Sequence, residues 1–212
     1  MKLLLYLKKL LLNGWYWEHN DVSPKYIGMK WYQLIKPTMP QIIITIISGF
    51  AVLQWLPTGF NNDFIGYINA TLAILVGLYL TLIISIFDKF NPDEFKQKNV
   101  TTPQEDDLIL KKNYYLQFTS LTTYSIVLAI FCILLLSISL LSENLHINIS
   151  YNNLQESWHQ KEYYSLMKDC LILLYRGIII YFLLDILYIS TYTITSVYSY
   201  IVGEYDKIKI KK

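Results

Sequence analysis

Long apolar stretches separated by short polar ones set the pattern of this chain. Four run almost free of charge: Gln41–Pro57, Ile65–Phe87, Thr119–Ser142 and Cys170–Val202. A bilayer core of roughly 30 Å is crossed by about 20 apolar helical residues. The last three stretches meet that length alone, and the first does when counted from Pro37. The pattern predicts an all-α polytopic membrane protein. Its transmembrane domain, 37–202, contains four helices at about 37–57, 65–87, 119–142 and 170–195.

The flanks carry their own signals. Residues 1–36 read as a cytoplasmic amphipathic segment. Ser23-Pro24 is a helix start, with a serine cap and a first-turn proline, and Ile27, Trp31, Leu34 and Ile35 share one face of the helix that follows. The Leu/Lys run Leu3–Leu12 reads as a second interfacial helix. Lys8-Lys9 interrupts its apolar core, and no small-residue cleavage site follows, so the run is expected to be retained rather than removed as a signal peptide. Pro37 and Pro40 are expected to close this section before span one.

Between spans two and three, the loop 88–118 contains two helix starts: Asn91-Pro92-Asp93-Glu94, and Thr102-Pro103-Gln104-Glu105 with its capping-box spacing. No proline or glycine intervenes from there to Ser142. One helix of about 40 residues, about 60 Å long, is therefore expected. Half of it would project as a cytoplasmic stalk, Pro103–Phe118, extending the third span. The loop 143–168 is placed outside, with a short alternating run at Ile147–Ser150 and a helix-permissive stretch at Glu156–Asp169; residues 203–212 form a basic tail.

Composition agrees. Charged residues make up 16% of the 212, against about 25% in soluble domains. The lysines are lopsided: fifteen lie in the N-terminal segment, the second loop and the tail, and two, Lys161 and Lys168, in the third loop. The positive-inside rule places both termini and the second loop in the cytoplasm, with a bacterial inner membrane as the expected location. The two cysteines form no framework. Cys132 lies mid-span and Cys170 at the outer end of the last span, about 15 Å apart in depth.

Candidate chemistry concentrates in the fourth span, which holds Arg176 and Asp185. Arg176 lies near the outer end, within reach of the headgroups if its side chain snorkels. A charge at mid-bilayer costs about 2.5–3.5 kcal/mol on insertion scales, so Asp185 must face protein or water. Nine residues, about 900° of helix, put the two on opposite faces. Asp185 shares its face with Tyr181, Tyr188, Tyr192, Ser196 and Ser199. Such a stripe either lines a water path or hydrogen-bonds to neighbouring helices, and Thr119, Thr122, Thr123 and Ser125 of span three face the same path in the first case. Span two carries a small-residue face, Gly66, Ala70, Ala73 and Gly77, suited to close packing within the subunit or between subunits. The stalk offers Glu105, Asp106, Asp107, Lys111 and Lys112 as a surface for a cytosolic protein. The lysine-bearing face, Lys8, Lys9, Lys111, Lys112 and the tail, suits anionic lipid, with a nucleotide or nucleic acid as the other anionic ligand. His19, His146 and His159 are scattered, and HExxH, P-loop and GxSxG motifs do not occur. No enzyme activity, metal or cofactor is expected.

Inward-facing termini, four spans and a charged central cytoplasmic loop resemble the plan of small four-helix membrane subunits of bacterial antiphage systems, of the Kiwa and Hailong types. The resemblance implies a homo-oligomer whose output is membrane permeability or partner recruitment. It also implies a pore-lining Asp185 stripe and a sensing or docking role for Glu105–Lys112. An oligomeric channel or pore-type effector is the leading expectation, with two alternatives. One is a membrane scaffold recruiting a cytosolic partner. The other is a small-solute transporter, for which Gly177 supplies a lone helix break without the usual counterpart.

Overall fold

The computed structural model describes residues 2–19, 35–56, 58–89, 102–141 and 163–207, and these form five helices and no strand. They are α1 (Lys2–His19), α2 (Ile35–Trp55), α3 (Asn62–Lys89), α4 (Thr102–Leu141) and α5 (Tyr163–Lys207). The protein is an all-α membrane protein. Among the described residues, three helices are long and apolar enough to cross a bilayer: Asn62–Asp88, Leu108–Leu141 and Met167–Gly203. The apolar part of α2, Met39–Trp55, is shorter, about 26 Å at 1.5 Å per residue.

The Leu/Lys run is helical as expected, within α1. α4 starts at the Thr102-Pro103 signal and continues for 40 residues, as the lack of glycine and proline led us to expect. Two readings are corrected. Pro37 and Pro40 do not end a segment before span one but lie inside the start of α2. The first four N–H groups of a helix have no intrahelical acceptor, so proline at the third position removes nothing, and at the sixth it removes a single bond. Gly177 does not break the fourth span, because α5 runs unbroken through it for 45 residues. The Ser23 helix, the Asn91 helix start and the Ile147–Ser150 run lie outside the described residues.

α3 begins at a well-formed cap. Asn61 Oδ1 accepts hydrogen bonds from the backbone N–H of Asp63 (2.6 Å) and Phe64 (3.3 Å), and Asp63 adds an acid to the first turn. The preceding turn reverses the chain at Gly59, whose φ of 90° favours a residue without Cβ. The Gly59 N–H donates to Leu56 O at 3.1 Å.

The chain divides into two compact units, Met1–Thr38 with Gly77–Val127 and Tyr188–Lys212, and Met39–Val76 with Leu128–Leu187. α3, α4 and α5 contribute to both. Among the buried positions of α4, one seam follows 4–3–4–3–4–3 spacing: Phe118, Thr122, Ser125, Ala129, Cys132, Leu136 and Ser139. Most are small, which lets a neighbouring backbone approach closely where lipid supplies no hydrophobic drive. In the second unit α4 and α5 pair antiparallel. The Tyr175 hydroxyl donates to Leu135 O, the Cys132 thiol points at Ile179 O at 4.0 Å, and Phe131 meets Phe182 edge-on with centroids 5.9 Å apart. Cys132 and Cys170 are both free.

Candidate functional site

The polar groups of α5 are the candidate site, and each unit holds its own set. In the second unit Arg176 is 1% exposed. It does not snorkel: its Nη1 donates to Leu56 O at 3.1 Å. Leu56 directly follows the last residue of α2, where the final carbonyls lack intrahelical donors and the helix dipole is negative. A guanidinium there adds a second donor to a carbonyl that already accepts from the Gly59 N–H, and it complements the dipole. Leu56 O thus receives both the Gly59 N–H and Arg176, and α5 fastens the α2–α3 turn. Phe60 and Ile65, which follow Gly59 in the chain, are 1% exposed each.

Asp185 also lies inside the chain, 2% exposed. Tyr181, one turn earlier, stacks edge-on against Phe182 and lines a groove of about 470 Å³ between α2 and α5. Thr45, Ser48 and Gly49 form one wall of the groove, Leu173 and Gly177 the other.

In the first unit the remainder of the stripe meets Gln117 of α4. Gln117 Nε2 donates to the Tyr192 hydroxyl at 3.1 Å, and the Ser196 hydroxyl donates to Gln117 Oε1 at 2.9 Å. One buried amide therefore ties two stripe residues by both of its ends. The Tyr188 and Tyr192 rings stack at 6.4 Å, and Tyr114 of α4 meets Tyr200 at 5.0 Å. The Tyr79 hydroxyl of α3 donates to Ser190 Oγ. Of the residues expected to share a water path, Thr122 turns its hydroxyl back to Phe118 O of its own helix at 2.7 Å; Thr193, not among them, does likewise to Ile189 O. Thr123 does the same to Thr119 O. Ser125 is buried, and Ser199 is exposed.

The stripe is thus brought together with α4 at Tyr192 and Ser196 and left open at Ser199. Gln117, Tyr79 and Ser190 were not singled out in the sequence. The available signal was an amide or a tyrosine hydroxyl facing inward within an otherwise apolar or aromatic run.

The small-residue face of α3 is open among the described residues. Gly66, Ala70, Ala73 and Gly77 are all exposed in the chain, and a Cβ built on either glycine meets nothing within 4 Å. Among the described residues, no helix covers it. On the α4 extension Lys112 is exposed and Lys111 half-buried, while the side chains of Glu105, Asp106 and Asp107 lie outside the described residues. Among the described residues, no three His, Cys, Asp or Glu side chains come together as a metal site.

No protein-family model, curated protein or solved structure matches this chain.

Proposed function

We propose that this protein is a membrane-embedded scaffold without enzymatic activity. It sits in a bacterial inner membrane with both termini cytoplasmic, and it recruits a cytosolic partner through the N-terminal part of α4. The observation that carries this reading is the Gln117 pair of bonds to Tyr192 and Ser196. Groups that would line a shared pore are used within one chain, as interhelical bonds of about 0.6–2 kcal/mol each. Their depth supports the same reading. Gln117 lies 24 residues before the end of α4 at Leu141, about 36 Å along the axis, which exceeds a bilayer core of about 30 Å. The Gln117 cluster, with Tyr114, Tyr115 and Tyr200 lining one small cavity beside it, therefore falls at headgroup level, where aromatic belts sit. The lysine asymmetry supports the orientation.

The test is ion flux through liposomes reconstituted with the purified protein, together with pull-downs from cytosol. The scaffold reading expects no flux above protein-free vesicles, with Asp185→Asn making no difference. It expects a cytosolic protein that co-purifies with the wild type and is lost on Lys111→Glu/Lys112→Glu. Conductance that changes with Asp185→Asn would replace it with the pore reading, in which the buried carboxyl of Asp185 is the conducting group.

A further inference from the structure

α1 presents apolar residues on two sides, and among the described residues only one of them is docked. Gly14 is buried, and a Cβ built on it would come within 2.6 Å of Tyr124 Cβ and Cγ. The helix therefore approaches α4 at this glycine more closely than any other residue allows. Leu7, Leu10 and Leu11 lie within about 60° of Gly14 around the axis, and Leu7 and Leu11 are less exposed than Leu5. Leu5 lies about 180° from Gly14, with Leu12 some 20° beside it. These two leucines are 67% and 55% exposed. Lys8 and Lys9, both exposed, lie about 40–60° to either side of that ridge.

We infer that the Leu5–Leu12 ridge and its flanking Lys8 and Lys9 bind an anionic lipid surface, with Gly14 docking the opposite side of α1 on Tyr124 of α4. Charge complementarity selects this occupant: the helix carries Lys2, Lys8 and Lys9 and no acid before Glu18. Lysines flanking an apolar ridge insert their stems with the leucines and leave their ammonium groups among phosphates. The depth of the docking point fits as well. Tyr124 lies 17 residues before Leu141, about 26 Å along α4. That is close to one hydrocarbon thickness, so α1 crosses α4 near the bilayer edge. The inference rests on membrane embedding and not on partner recruitment, so flux and pull-down results leave it standing.

The experiment uses the full chain in nanodiscs of phosphatidylglycerol or phosphatidylcholine. A single fluorophore is placed at Leu12→Cys in a Cys170→Ser background, Cys132 being buried. Quenching by spin-labelled lipid is compared with quenching by aqueous iodide. In phosphatidylglycerol the lipid-borne quencher should dominate. The lipid-to-iodide ratio should fall roughly tenfold with Lys8→Gln/Lys9→Gln or in phosphatidylcholine. It should fall likewise for the protein with both lysines intact when salt is raised to about 1 M, where the screening length is about 3 Å. Equal ratios in both lipids and at both salt levels would overturn the inference. So would shielding of the label from both quenchers, which would mean that protein covers the ridge.

Discussion

Arg176 and Gly14 show how much one position decides. Arg176 is nearly the most costly residue to bury, yet it is 1% exposed and donates to the carbonyl that ends α2. Truncating it leaves that carbonyl with the Gly59 bond alone. Arg176→Ala is expected to lower stability by about 2 kcal/mol, which is roughly 5 °C of melting temperature for a chain of this size, read by thermal unfolding in detergent. Lysine should restore little, because a point charge on a narrower head does not reproduce the guanidinium fork. An unchanged melting temperature in Arg176→Ala would mean that the guanidinium does not hold the α2–α3 turn.

Gly14 sets two effects against each other. Alanine raises helix propensity by about 1 kcal/mol, but its Cβ meets the base of the Tyr124 side chain at 2.6 Å, where nothing flexible can swing away. The clash should win. Gly14→Ala should make α1 more susceptible to proteolysis, and adding Tyr124→Gly, which removes every Tyr124 atom the new Cβ would meet, should restore resistance, a non-additivity that a merely weakened helix would not show.

Among the elements, the α4–α5 pair is the best determined. The start and length of α4 were legible because Thr102-Pro103 is a local signal and a long uninterrupted run has no other stable form in lipid, where each backbone group must be bonded within the segment. Its burial seam was not singled out, although Thr122, Ser125, Ala129 and Cys132 carry spacing like that of Gly66, Ala70, Ala73 and Gly77 of α3. The two stripes are equally suited to close approach, but one is covered and the other exposed. Gln117 joins α4 to α5 in the first unit. Gln117→Leu should cost about 1–2 kcal/mol and Tyr192→Phe less, with the double variant short of the sum by about 0.6 kcal/mol. Strict additivity in unfolding measurements would mean that the amide and the phenol act independently.

For the molecule as a whole, topology is the testable property. Cys170 is exposed and Cys132 buried, and the proposed orientation, drawn from the lysines, puts Cys170 near the external face. A membrane-impermeant maleimide added to spheroplasts is expected to label Cys170 and to spare Cys132. Labelling only after the membrane is opened would invert the orientation drawn from the lysines. Particle mass in nanodiscs bears on the shared pore: a ring of three or more chains would support it, and a monomer or dimer would oppose it.

The sequence by itself determined that the chain is helical and membrane-embedded, because the length of an apolar run and the cost of unbonded backbone in lipid are local quantities. It also determined which residues bear intramembrane charge and which helix faces are small. Only the tertiary structure decided what those faces meet. Arg176 ends on Leu56, 120 positions away in the chain, Gln117 reaches Tyr192 and Ser196, and Gly14 closes on Tyr124. Periodicity assigns a residue to a face of its own helix, whereas the partner of that face depends on how helices distant in sequence pack.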